Sequence, residues 1–154
     1  MKKVLFLHGL SSDGSVKSSF LRKLGYEVLT PELSDWFFSK AVAQAQDAND
    51  DFQPDVIVGS SRGGAVAMNM ESGDTPLILL APAWRQWGKV DRITKLGFVI
   101  HSMNDDVVPY DDSVKLWVNS TGLELICAGA DHRLNDAEAQ GMLAFALQTV
   151  FAGY

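Results

Sequence analysis

The sequence has 154 residues and a single cysteine, Cys127, so no disulfide can close within it and no thiolate cluster can hold a metal. A reducing compartment is the expectation. Basic residues are in deficit: 13 lysines and arginines stand against 19 aspartates and glutamates, a formal charge of -6. The resulting negative field opposes phosphate backbones and anionic lipid, so nucleic acid is not an expected partner. Long hydrophobic runs are missing as well. Residues 4–7 follow two lysines but end at His8, short of the roughly 7–15 apolar residues of a signal core and the about 20 of a membrane span. The stretches 77–82 and 142–147 are also too short. These absences lead to the expectation of a cytoplasmic protein with no membrane span. No repeat, low-complexity tract or Pro/Gly-rich linker divides the chain, so one domain over residues 1–154 is expected. A composition 47% hydrophobic and 21% charged is ordinary for a globular domain and excludes disorder.

What is present is a recurrent short apolar run followed by a helical pattern. Strands are expected at 3–7, 26–30, 55–59, 76–80, 97–101 and 123–127. Most are continuously apolar, as strands covered on both faces are. Between them lie segments with a period near 3.6. Ala139, Met142, Leu143, Ala146, Leu147 and Val150 trace one stripe, started by a capping-box-like Asn135 with Glu138. Phe38, Val42, Ala45 and Phe52 sketch another helix with Ser34 as N-cap, and Val16, Phe20 and Leu24 a third, closed by Gly25. The expected fold class is therefore α/β, a three-layer αβα sandwich around a six-stranded parallel sheet. In such sheets ligands bind beyond the carboxyl ends of the strands.

The run 55–58 leads into Gly59-Ser60-Ser61-Arg62-Gly63, a G-x-S-x-G pattern, and then into a helix through Ala65, Val66, Ala67 and Met68. A serine at the tip of a sharp strand-to-helix turn needs small flanking residues, because bulk there meets the neighbouring strand or helix. Ser61 is thus the expected nucleophile, with its Oγ at a helix N-terminus. The five-residue pattern alone is common; a tight turn without chemistry is its plain alternative. A serine hydroxyl needs a base, usually a histidine oriented by a carboxylate. Asp105 and Asp106 follow the fifth expected strand and His132 the sixth, at the same edge as Ser61.

With Leu7-His8-Gly9-Leu10, the elbow, Asp105-Asp106-Val107-Val108-Pro109 and Gly129-Ala130-Asp131-His132 in that order, the chain resembles the α/β-hydrolase superfamily over nearly its whole length. The resemblance implies the sheet order 2-1-3-4-5-6, Ser61, Asp105 and His132 as a catalytic triad, and the backbone N–H groups of Leu10 and Arg62 as an oxyanion hole. Asp106 is the alternative acid, but only Asp105 has the D-x-x-V-P spacing. His8 and His101 are expected to be structural, and Cys127 a buried small hydrophobe. Only residues 83–96 occupy the place of the superfamily's cap, so no cap domain and an open site are expected; the two usual leading strands are expected to be missing. Trp84 and Trp36 are candidates for a pocket wall, with core packing as the equal alternative. The basic residues between Arg85 and Lys95 suggest a solvated surface more than an anion site. No cofactor or metal is implied. The expected function is a serine hydrolase of the carboxylesterase kind acting on a small-molecule ester. Thioester or amide hydrolysis with the same residues, or a binding protein that keeps the fold, are the alternatives.

Overall fold

The computed structural model describes residues 1–10 and 14–153. Six strands, β1 (Lys3–Leu7), β2 (Glu27–Leu29), β3 (Val56–Ser60), β4 (Leu77–Leu80), β5 (Gly97–His101) and β6 (Leu123–Cys127), form one sheet in the order β2-β1-β3-β4-β5-β6. Every pairing is parallel. The helices are α1 (Ser15–Lys23), α2 (Phe38–Phe52), α3 (Arg62–Met68), α4 (Tyr110–Asn119) and α5 (Ala137–Phe151). This is the expected three-layer αβα arrangement and the expected strand order.

The continuously apolar strands serve two cores at once, because successive side chains point to opposite faces. Val4, Phe6, Val56, Val58, Ile78, Leu80, Phe98 and Ile100 face one layer, where Leu21 of α1 and the stripe Ala139, Leu143, Ala146, Leu147 and Val150 of α5 meet them. Leu5, Leu7, Ile57, Leu77, Leu79 and Val99 face the other, against Ala41 and Ala45 of α2, Val66, Ala67 and Met68 of α3, and Leu116 of α4. On the inner strands β1, β3, β4 and β5 both faces are buried, so these strands are pinned in register: a one-residue slip would exchange the two sets and leave mismatched volumes on both sides.

Several local expectations are corrected. Helix α4 was not anticipated from its sequence, because its exposed Trp117 and Val118 blur the apolar stripe that Leu116 begins. Helix α5 is capped by Asp136, whose side chain accepts from the Ala139 N–H at 3.2 Å. Asn135 instead accepts from Lys17 Nζ at 3.0 Å, and Glu138 accepts from the Gly129 N–H at 3.2 Å. Ser34 accepts from the Phe37 N–H at 3.1 Å, one residue before α2 begins, so it shapes the entry without being the N-cap. Cys127 is exposed at the end of the edge strand β6 and is no core residue. Gly25 closes α1 at φ 95°, as expected.

Residues 81–96, between β4 and β5, carry no helix or strand. No helix among the described residues is long and apolar enough to cross a membrane.

Candidate active site

Ser61 stands between β3 and α3 at φ 55° and ψ -118°. A non-glycine residue at positive φ costs on the order of 1–3 kcal/mol and persists only where its surroundings over-determine it. The surroundings here are hydrogen bonds on both sides. The Ser61 N–H donates to the Leu80 carbonyl at 2.8 Å, while the Ser61 carbonyl accepts from Gly64 at 3.0 Å and Ala83 at 2.9 Å. The flanking glycines are required by close approach. A Cβ on Gly59 would lie 2.6 Å from the Gly63 carbonyl oxygen, and one on Gly63 would lie 2.1 Å from that of Leu7. Gly63→Ala must therefore push α3 off β1 and its loop. A melting curve should show a loss at the upper end of the about 1–3 kcal/mol typical of overpacking; an unchanged midpoint would refute this account of the elbow.

The three residues singled out by the sequence converge at the carboxyl rim of the sheet. His132 Nε2 is 3.0 Å from Ser61 Oγ, and His132 Nδ1 is 2.6 Å from Asp105 Oδ2. Each of the loops that carry them has internal hydrogen bonds of its own. Asp105 Oδ1 accepts from the N–H groups of Val107 and Val108, both at 2.8 Å. In the loop after β6, Asp131 accepts from the N–H groups of Arg133 at 3.0 Å and Leu134 at 3.3 Å. Lys17 of α1 donates to the Arg133 carbonyl and to Asn135. Burial lowers this ammonium's pKa to about 8, with Asp131 opposing. Ser102 joins the two loops by donating to the Gly129 carbonyl at 2.9 Å.

The Asp105 side chain is 0% exposed and that of His132 is 18% exposed. Burial pushes the Asp105 carboxyl up, but the hydrogen bonds from His132, Val108 and Val107 outweigh it and hold the group below the usual carboxylate range. It is thus an anion with both oxygens occupied. Asp106, the alternative acid, is exposed.

A second histidine on this carboxylate was not anticipated in that role. His101, wholly buried at the end of β5, places Nε2 3.0 Å from Asp105 Oδ2 and 3.0 Å from the Val108 carbonyl oxygen. A carbonyl only accepts, so Nε2 carries the proton, and Nδ1 accepts from Ser113 Oγ at 2.6 Å. His101 thereby donates to the same oxygen as His132. In sequence it is simply a polar residue ending an apolar strand; only the return of the 102–109 loop over it reveals the contact.

Burial holds His101 below the usual imidazole range, against the opposing pull of the Val108 carbonyl and Asp105. The unfolded chain, with an imidazole near its reference value of about 6.5, therefore takes up a proton before the folded one does. Stability is present above that value and falls as pH drops from it toward the lower folded pKa. One proton contributes at most about 1.4 kcal/mol per pH unit. Denaturant titrations between pH 7 and 5 should show this loss, and a His101→Gln variant should lack that component; identical slopes in the two proteins would refute it.

The loop after β1 runs beside the serine: a Cβ on Gly9 would sit 3.4 Å from Ser61 Cβ. His8 holds that loop through Nδ1, 2.9 Å from the Gly9 carbonyl oxygen. Leu10 follows as an exposed residue. Arg62 opens α3, and a first-turn N–H has no intrahelical acceptor.

The two candidate tryptophans lie in opposite environments. Trp84 is 8% exposed and belongs to the core beside Leu116 and Ile93, with its indole N–H donating to the Asp112 carbonyl at 3.0 Å. A buried indole needs such an acceptor, and α4 supplies it. Trp36 is 88% exposed. Trp87 and Phe38 stack on each other at 5.8 Å, and the Arg62 guanidinium lies against both rings. Three of the four basic side chains of the 81–96 segment are held elsewhere. Arg85 pairs with Asp112 at 3.3 Å, Arg92 with Asp91 at 2.9 Å, and Lys95 donates to Ser72 at 2.6 Å. Among the described residues no group of three or more His, Cys, Asp or Glu could hold a metal ion.

A doubly covered parallel sheet in this order, with a strained serine after β3, an acid after β5 and a histidine after β6, is the α/β-hydrolase fold. Solved structures with the same fold include an esterase from Exiguobacterium antarcticum, at TM-score 0.81 and 12% identity over 97% of this chain and 92% of that one. Est1E from Butyrivibrio proteoclasticus matches at TM-score 0.76 and 16% identity, over 99% of this chain and 87% of that one. The mouse alpha/beta hydrolase domain-containing protein 10 matches at TM-score 0.74 and 14% identity, over 98% and 90%. No protein-family model and no curated protein matches the sequence.

Proposed function

We propose that the protein is a serine hydrolase that cleaves small carboxylic esters through an acyl-enzyme. The observation that supports this reading is the position of one imidazole, within 3.0 Å of a hydroxyl on one side and 2.6 Å of a buried carboxylate on the other. With Nδ1–H donated to Asp105, the Nε2 lone pair faces Ser61. Ser61 Oγ attacks the ester carbonyl carbon as its proton passes to Nε2, and Asp105 stabilises the imidazolium. The carbonyl oxygen becomes an oxyanion received by the N–H groups of Leu10 and Arg62, donors of a kind worth roughly 3 kcal/mol each in the transition state. The imidazolium protonates the departing alcohol, and water, deprotonated by the same base, releases the acid.

The site is open in this reading, since a single domain without a cap leaves no tunnel for a long acyl chain. A small ester in the cytoplasm is the substrate and location we assign. Ester chemistry is favoured among acyl transfers by the esterases that share the fold.

A fluorophosphonate probe tests the nucleophile. Labelling should map to Ser61 and disappear in His132→Ala. Absence of labelling in folded protein would favour a binding protein that keeps the fold without turnover.

A further inference from the structure

We propose that the Arg62 guanidinium is a binding subsite for a carboxylate, so that the substrate is an ester carrying a free carboxylate. This rests on the hydrolase reading for the reaction, and on separate observations for the anion.

Arg62 is 3% exposed, and its Nε and Nη2 are buried without a hydrogen-bond partner. Among the described residues the guanidinium makes no hydrogen bond or ion pair. Asp35 attracts it only through space, and burial lowers its pKa. A buried cation without an anion is among the costliest arrangements a fold tolerates. Aromatic faces compensate in part. Trp87 lies 4.7 Å and Phe38 5.6 Å from the guanidinium carbon, measured to the ring centroids. Rings attract the charge but offer no lone pairs in the plane of the N–H groups.

The identity of the two orphaned nitrogens points to the ligand. Nε–H and Nη2–H lie side by side on one edge of the guanidinium, the edge that accepts both oxygens of a carboxylate in parallel hydrogen bonds. Two rings thus lie against the charge, while its bidentate edge is left without an acceptor. Arg62 follows Ser61 directly, with about 3.8 Å between the two Cα atoms. Its aromatic cover comes from the start of α2 and the segment after β4, both beyond strand carboxyl ends on the rim that holds Ser61. Because Nε and Nη2 are buried, a substrate carboxylate reaches them only with a shift of the half-buried Trp87 and Phe38 rings. The other basic residues of the 81–96 segment with hydrogen-bond partners are engaged away from this point.

Two matched pairs of esters test the subsite: 4-nitrophenyl hydrogen glutarate against 4-nitrophenyl pentanoate, and 4-carboxyphenyl butyrate against 4-carbamoylphenyl butyrate. The first carries the charge on the acyl side, the second on the alcohol side. In at least one pair kcat/KM should favour the carboxylate by about tenfold or more, and Arg62→Gln, which keeps the backbone N–H, should erase most of that ratio. Arg62→Lys, which keeps charge but not the fork, should retain part of it and serves if the glutamine variant does not fold. Glutarate binding by calorimetry supplies a readout without turnover: it should be measurable for the native chain and lost in Arg62→Gln. No carboxylate preference in either pair, or a preference unchanged in Arg62→Gln, would overturn the subsite. If neither pair is cleaved while glutarate binding still depends on Arg62, the subsite stands and the hydrolase reading falls. If the esters are cleaved indifferently and glutarate does not bind, the reverse holds.

Discussion

Ser61→Ala should lower kcat/KM for a short-chain aryl ester by several orders of magnitude, toward the about 10⁶ that removal of a triad serine costs in a protease. In the proposed mechanism the effect is large because the hydroxyl, its base and the oxyanion donors act as one unit; without Oγ no acyl-enzyme would form, and only the N–H donors and substrate binding would remain. The fold should survive, since the turn is held by the Ser61 backbone N–H and carbonyl and not by the hydroxyl. Ser61→Gly separates the two roles. It removes Oγ and also relieves the positive φ of 55°, so it should be as inactive as the alanine variant and melt at a higher temperature. Steady-state kinetics with an active-site titration would settle the first claim, and retention of more than a small fraction of activity in either variant would remove Ser61 from the reaction.

Asp105→Asn carries the second large effect, about 10⁴ in kcat by analogy with loss of the triad carboxylate charge elsewhere. Asp105 receives four N–H groups: Val107 and Val108 on Oδ1, His132 and His101 on Oδ2. An asparagine can present its carbonyl oxygen to only one pair. With the backbone pair satisfied, the amide N–H₂ meets the two imidazoles, and His132 must turn its Nδ1 lone pair toward it. The proton then moves to Nε2, which faces Ser61 and can no longer accept. His101 cannot follow, because the Val108 carbonyl and Ser113 hold its tautomer. Adding His101→Gln should therefore give no recovery, because a glutamine carbonyl accepts from the amide and keeps its N–H₂ turned toward His132; a double variant clearly more active than the single one would count against the shared oxygen. Asp106→Asn, at an exposed position, should change kcat by no more than a few-fold.

The layered architecture was legible because both sheet faces are covered. That condition writes strands as unbroken apolar runs, and it made 3–7, 97–101 and 123–127 readable to the residue. Residue-level caps were less so. Ser, Asn and Asp compete for such positions over one or two residues, and Asp136 was chosen over Asn135 by a fold that gives Asn135 to Lys17. Trp84 and Trp36 could not be told apart by composition or position, since a tryptophan satisfies its indole N–H equally in solvent or on a buried carbonyl. The carbonyl of Asp112, 28 residues away, decided between them.

Local sequence determined the elbow, the three reactive residue types and their order after successive strands, because a backbone held at positive φ and an unbroken parallel sheet both constrain neighbours along the chain. Tertiary structure alone decided what each side chain meets across the rim. His101 on the Asp105 carboxylate and the aromatic cover on Arg62 depend on loops that return from distant strands, and no spacing in the sequence encodes the few ångströms that separate an isolated buried histidine from a partner of that carboxylate.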